Sequence, residues 1–412
     1  MSHDEPPPVL ARVAGRVATP CFLYLIDDIL ARGAALRAAF DGRVALSYAV
    51  KANPNRALLS RLLEVVDGLD ASSAGEVDRA IGAGCPPDRV SFSGPGKSER
   101  ELRHAVTSGC RLVVESEAEL RSLQNLARQA GRRPGVLIRI SPSRLPRAFG
   151  LGLAGRPSQF GIDEEVIDDV LSRRAEWPDL DVVGFHIFSG SNCLSEDALD
   201  ENFGIQSELF QHCAERLDDP IRTLVFGAGF GIPYHPDQEP LALERLAPRL
   251  MARMDRLGEH PRLRSTARVL ELGRFLVGPP GYFLTRVIAT KSSRGTEFRI
   301  CDGGFNAHLA ACGMMGTVIR RNWRMWKVGA DDETPDAEYT IVGPLCTSFD
   351  TLAMKIQLPV LEVGDLVAVG ASGAYGPSAS PNRFISHPQP HEYFVTERPP
   401  SEPRIEDISH DS

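Results

Sequence analysis

The 412-residue sequence lacks the features that would place it in several broad classes. It has no uninterrupted apolar stretch of about 18 residues, so no segment reads as a membrane-spanning helix. Its start, Met-Ser-His-Asp-Glu-Pro-Pro-Pro, has neither the basic nor the apolar region of a secretory signal, which makes the cytoplasm the expected compartment. Lys and Arg form no dense block and the net charge is -8, which gives no support to nucleic-acid binding. Cysteines 21, 85, 110, 193, 213, 301, 312 and 346 include no close pair such as Cys-x-x-Cys. That argues against a disulfide framework or a metal site and for reduced thiols, most of them core. There is no internal repeat and no low-complexity segment.

What is present, 42% apolar and 24% charged residues, describes a soluble globular chain long enough for two domains. Residues 1–8 and 398–412 are rich in Pro, Asp, Glu and Ser and read as disordered tails. Thr19 to Leu25 has strand composition, and a helical pattern starts at Ile26. From Val44 to about residue 280, short apolar runs alternate with amphipathic stretches. The runs are Val44–Val50, Gly68–Asp70, Val90–Phe92, Leu112–Val114, Val136–Ile140, Val182–Ile187, Thr223–Phe226 and Arg268–Glu271. Such strand–helix units imply a parallel sheet, and about eight of them close a (β/α)8 barrel. Beyond residue 280, Val/Ile/Thr-rich runs without intervening helices predict an antiparallel β domain. The expected division is 1–25 (tail and a strand joining the β domain), 26–280 (barrel), 281–397 (β domain) and 398–412 (tail).

Within that frame Lys51 ends the first barrel run and is followed by Ala-Asn-Pro-Asn, which breaks the chain. An amine in an apolar setting can form a Schiff base with an aldehyde, whereas a strand-end lysine can also simply reach water. Catalytic groups of a parallel barrel sit at the C-terminal ends of its strands. There the chain carries Lys51, Asp70, Arg139, His186 followed by Ser189-Gly190-Ser191, the run Gly227-Ala228-Gly229-Phe230-Gly231, and Glu271-Leu272-Gly273-Arg274. An amine, a glycine-rich turn able to cradle a phosphate, and a carboxylate able to face a ring nitrogen are what pyridoxal 5'-phosphate requires.

Seven motifs then carry a resemblance. Tyr48-Ala-Val-Lys-Ala-Asn53, Asp70-Ala-Ser-Ser-Ala-Gly-Glu76, Ser158-Gln-Phe-Gly161, Gly227-Ala-Gly-Phe-Gly231, Glu271-Leu-Gly-Arg274, Gly343-Pro-Leu-Cys346 with Asp350, and Gly373-Ala-Tyr-Gly376 resemble, in order, the ornithine/diaminopimelate decarboxylase family. The resemblance implies a pyridoxal-phosphate barrel of the alanine-racemase type with a C-terminal β domain. It implies that Lys51 holds the cofactor as a Schiff base, that Glu271 bonds the ring nitrogen, and that Asp70 lies near Lys51. Gly227, Gly229, Ser191, Arg274 and Tyr375 would hold the phosphate. Cys346 would return a proton to Cα from the partner subunit of a homodimer with shared active sites.

The departures bear on substrate. Counting three residues back from Ser191, where the family stacks a histidine on the cofactor ring, gives Phe188, with His186 as second choice. Thr347 follows Cys346, where diaminopimelate and ornithine decarboxylases have an acid that meets a distal ammonium; Thr347 and Asp350 are the expected substrate-facing residues of this stretch. The segment from Asp302 to Trp323 is similar to a secondary-metabolism subgroup that includes decarboxylases of amino acids tethered to carrier proteins; Arg320 and Arg321 could meet an anionic tether or a substrate carboxylate. The expected activity is α-decarboxylation of an L-amino acid or a carrier-linked conjugate. Ordinary diaminopimelate decarboxylase is the alternative; a racemase, or a regulatory homologue without cofactor, stands further off.

Overall fold

A computed structural model describes residues 6–149, 155–313, 321–330, 334–397 and 401–411, and the backbone of 151–152. The chain divides into two compact units: a barrel unit of residues 32–231 and 240–273, and a sheet unit of 1–31, 232–239 and 274–412.

Eight parallel strands build the barrel: β1 (Ala45–Ala49), β2 (Gly68–Ala71), β3 (Val90–Phe92), β4 (Arg111–Val114), β5 (Gly135–Ser141), β6 (Asp181–Ile187), β7 (Thr223–Gly227) and β8 (Ala267–Leu272). Each pairs with the next, and β8 pairs back with β1 through Glu271 opposite Ser47 and Leu272 opposite Tyr48, so the sheet has no free edge. Strands covered on both faces need apolar residues at successive positions, which is why they read as short unbroken apolar runs. Val113, Leu137, Val183 and Val225 pack with Val269 across β4 to β8. Each such side chain contributes about 1.5–3 kcal/mol on burial. Short polar turns start the helices: Ser73, Ser98, Ser116 and Ser195 accept N-terminal amide hydrogens, Ser98 within a full capping box with Glu101.

Among the described residues the sheet unit holds nine strands, with Gly281–Ser293 at the centre of the pairing. Most neighbours are antiparallel, but Cys21–Leu25 runs parallel to His391–Thr396 and Thr296–Cys301 parallel to Ala337–Val342. The described elements depart from the expected boundaries in places. Arg404–Asp407, inside the expected C-terminal tail, is a strand on His391–Thr396. Ile405 packs on the core that includes Leu23 and Val395, and Ile408 is 2% exposed, so two apolar residues anchor an otherwise charged segment. Val9–Val13, just after the expected N-terminal tail, is a helix burying Val9, Leu10 and Val13 in the same core. The units also divide at Arg274 rather than at residue 280, and residues 232–239 belong with the sheet.

Candidate active site

In the barrel unit, Lys51 lies on a single helical turn, Val50–Ala52, directly after β1. The turn is fixed from below: the Tyr48 hydroxyl donates to Asn53 O at 3.2 Å, and Asn55 caps the helix Arg56–Leu62 by accepting from Ala57 N and Leu58 N. Lys51 is exposed, its Nζ stands 5.3 Å from the Phe188 ring centroid, and the carboxylates of Asp70, Glu76 and Glu271 act on it electrostatically. Among the described residues its ammonium has no hydrogen-bond acceptor. The lysine after β3 differs: Lys97 Nζ donates to Gly94 O at 2.7 Å, Val113 O at 2.8 Å and Glu119 Oε1 at 2.6 Å, so its three hydrogens are committed. Of these two amines, Lys51 is the one open to an aldehyde.

Two buried carboxylates near Lys51 are driven apart. Asp70, 1% exposed, accepts from Ser91 Oγ at 2.7 Å and Ser93 Oγ at 2.8 Å. Loss of solvent and the neighbouring charge of Glu271 push its pKa up to about 8 against the opposing pull of Lys51 and the two serines. Burial would raise Glu271 as well. Instead the charge and hydrogen bond of His186, whose Nε2 donates to Oε2 at 2.7 Å, together with Lys51 and Arg139, hold it below the usual carboxylate value. The result is one proton-holding and one ionised acid, the pattern by which a site divides acid from base. His186 therefore engages Glu271, and Phe188 is the aromatic face toward Lys51.

After β7 the chain turns through Gly227-Ala-Gly-Phe-Gly231 beside the loop that leaves β6. A β-carbon at Gly227 would stand 2.7 Å from Phe188 Cα and 2.8 Å from Ile187 O. Gly229 is left-handed (φ +67), and its β-carbon would meet Gly190 O at 2.9 Å. The turn is tied to that loop by Cys193 N donating to Gly229 O at 3.0 Å and Gly231 N to Cys193 O at 2.8 Å. Ser191 sits half-buried in the same loop, and the Ser189 hydroxyl is buried with no partner among the described residues. Bare backbone beside an unsatisfied hydroxyl suits an anion such as a phosphate.

The sheet unit carries the remaining candidates. Arg274 Nη1 donates to the Tyr234 hydroxyl at 3.2 Å, and its guanidinium lies 4.9 Å from the Tyr375 ring centroid. Its Nε is buried without a partner among the described residues. Tyr375 takes φ 56, a strained left-handed position for an aromatic residue. Tyr234, absent from the expected set, packs on Trp323 at 4.3 Å between ring centroids. Cys346 is exposed while the other seven cysteines are buried. Asp350, expected near substrate, is 3% exposed and turns inward, accepting from Phe305 N at 2.6 Å and Leu345 N at 2.7 Å. It braces the Cys346 loop instead of offering a free carboxylate. The Thr347 hydroxyl accepts from Phe349 N at 3.4 Å. Arg321 pairs with Asp237 at the surface; Arg320 lies outside the described residues.

An open amine, an ionised buried carboxylate and an anion cradle at one end of one barrel thus fit pyridoxal 5'-phosphate on this structure's own terms. Known proteins agree. Residues 26–278 match the family model described as "Pyridoxal-dependent decarboxylase, pyridoxal binding domain". The L-glutamyl-[BtrI acyl-carrier protein] decarboxylase of Niallia circulans is 33% identical over 92% of this chain and 89% of its own. Diaminopimelate decarboxylase of Methanothermobacter thermautotrophicus is 32% identical over 93% and 88%. The crystal structure of diaminopimelate decarboxylase from Helicobacter pylori complexed with L-lysine superposes with a TM-score of 0.83 at 27% identity, covering 96% of this chain and 95% of that one. The motifs, the closed barrel with its companion sheet and the match over most of both chains lead to one assignment: this chain belongs to the pyridoxal-dependent decarboxylases and uses pyridoxal 5'-phosphate to remove a carboxylate from an amino acid.

Proposed function

We propose that the enzyme removes the α-carboxylate of an L-amino acid whose far end is uncharged or is tethered to a carrier protein, in a biosynthetic pathway of secondary metabolism. The observation that carries this reading is the Cys346 loop. Thr347 occupies the position where an acid would meet a distal ammonium, its hydroxyl is used by Phe349 N, and Asp350 faces inward to backbone amides. A free diamino acid would bring a second cation with no carboxylate from this loop to pair it, which is costly in a desolvated site. The 33% identical relative that acts on a carrier-linked glutamyl group supports the tethered form.

In this reading Lys51 would supply the amine that holds the cofactor. Glu271, kept ionised by His186, would meet the ring nitrogen and favour its protonated form. Gly227, Gly229 and Ser191 of the barrel unit would hold the phosphate. Phe188 would offer its aromatic face to the ring, and Asp70 would hold a proton beside Lys51. Bound there, pyridoxal 5'-phosphate supplies the sink for the electrons of the breaking Cα–carboxylate bond. Cys346, from the partner subunit of a homodimer with shared sites, protonates Cα.

Among the described residues no helix is long and apolar enough to cross a membrane, and we place the enzyme in the cytoplasm. The test is carbon dioxide release from free glutamate, lysine, ornithine and meso-diaminopimelate, set beside aminoacyl groups loaded on an acyl-carrier protein. Fastest release from the loaded carrier supports the reading. The diaminopimelate relatives favour a second reading, a decarboxylase of lysine synthesis, which fastest turnover of free meso-diaminopimelate would establish in its place.

A further inference from the structure

Glu115 follows β4 at the C-terminal mouth of the barrel and is 3% exposed. Its carboxylate gathers three donors from three separate segments. Oε1 accepts from Gly94 N at 2.8 Å and from Arg139 Nη1 at 2.7 Å, and Oε2 accepts from Gly161 N at 2.8 Å. Its own N–H donates to Glu119 Oε2 at 2.9 Å, and Glu119 is in turn held by buried Lys97. Arg139, 6% exposed on β5, donates from Nη2 to Phe188 O at 3.4 Å and lies 4.9 Å from the Phe160 ring centroid. The Ser158–Gly161 turn is seated on it: Gly161 has φ +75, and a β-carbon there would stand 3.3 Å from Arg139 Cγ and 3.1 Å from Ser141 N. Phe188 is thus bracketed by Arg139 at its carbonyl and by Gly227 at its ring and Cα, with the Lys51 ammonium over its face.

We infer that Glu115 is a positioning residue for this reaction: by fixing Arg139 and the Phe160–Gly161 turn it holds Phe188 in place against Lys51. Two physical points support this over a merely structural ion pair. Arg139 also acts on Glu271, so without Glu115 a buried guanidinium would be left to compete for the carboxylate that His186 holds. And a glutamine in place of Glu115 cannot serve three donors, because its amide nitrogen would face an N–H or the guanidinium. The inference rests on the reading of Lys51 and Phe188 as cofactor residues.

The test begins by fixing bound pyridoxal 5'-phosphate with borohydride and locating the label. A label on Lys51 upholds that underlying reading; a label elsewhere overturns it and this inference together. Glu115→Gln, Arg139→Gln and the double variant are then compared by cofactor dissociation constant, absorbance of the bound cofactor and kcat. Glu115→Gln is expected to weaken cofactor binding about tenfold and to lower kcat by up to about a hundredfold, the scale of a small misplacement at a reacting centre. The double variant should lose no more than the worse single one, because the two residues act as a unit. Losses that multiply would overturn the inference while leaving the site reading intact. If Glu115→Gln does not fold, the unsubstituted protein still answers, since linkage is reciprocal. Loading with cofactor should slow amide hydrogen exchange at Gly94 and Gly161, and equal exchange with and without cofactor would overturn the role.

Discussion

His186 Nε2 stands 2.7 Å from Glu271 Oε2, and neither side chain is more than 3% exposed. A carboxylate this buried would normally hold its proton, so the histidine decides its state. Replacing His186 by Leu removes both the charge and the hydrogen bond that lower Glu271, and its pKa then rises. The acidic limb of the kcat profile should move to higher pH, with kcat near neutrality down about tenfold, equivalent to about 1.4 kcal/mol of barrier. A pH–rate series checks this, and an acidic limb that stays in place would remove His186 from the role.

Asp70 gives a stability prediction for the cofactor-free protein. Its folded pKa, raised to about 8, lies above the unfolded value of roughly 3.9. The folded state therefore binds this proton more tightly than the unfolded chain does. The stabilisation is fully present below about pH 4 and is lost as pH rises through about 8, an effect on the order of several kcal/mol. Asp70→Asn has no charge to bury and keeps partners for Ser91 and Ser93. It should melt a few degrees above the unsubstituted protein at pH 9, with the gap closing toward pH 5. A melting difference that does not change with pH counts against the raised pKa.

At Gly227 the close approach is to backbone as well as to a ring, so Phe188 cannot simply rotate away. Gly227→Ala should cost about 1–3 kcal/mol of stability through overpacking and abolish most cofactor binding. Gly96→Ala is the control, since a β-carbon at Gly96 meets nothing within 4 Å. Melting and cofactor titration of the two variants should separate clearly, and similar behaviour would deny the tight contact.

How far such features could be read from sequence depends on the distance over which they act. The eight barrel strands were readable because burial on both faces writes itself into each run, as in Leu112-Val113-Val114. The strand Arg404–Asp407 was not, because Arg-Ile-Glu-Asp buries only one face and its anchor, Ile405, is isolated among charges. Lys51, Glu271 and the glycine turn stood out because each residue type carries its own chemistry. The Glu115–Arg139 and Tyr234–Arg274 pairs join residues 24 and 40 positions apart, and neither Glu115 nor Tyr234 sits in a local pattern that names its partner. Position alone ranked Phe188 ahead of His186 as the stacking group without excluding either. Only their contacts, one with Glu271 and one with Lys51, separate them.

The Cys346 loop allows the proposed chemistry and the proposed specificity to be tested apart. Cys346 is the exposed cysteine of the eight, so Cys346→Ala should leave the absorbance of the bound cofactor unchanged while slowing turnover. An unchanged rate would deny it the proton-transfer role. Thr347→Glu changes a different property. It places a carboxylate beside Cys346, and its backbone is already set, because Asp350 holds the loop through Leu345 N independently of the Thr347 hydroxyl. A new ion pair with a distal ammonium in a partly desolvated site is worth on the order of 1–3 kcal/mol, so kcat/KM for a free diamino acid should rise about tenfold or more. The same carboxylate would repel the anionic arm of a carrier-linked substrate, so kcat/KM for that substrate should fall. Measuring both substrates on both proteins is decisive: if Thr347→Glu moves the two values in the same direction, this position does not select the far end of the substrate.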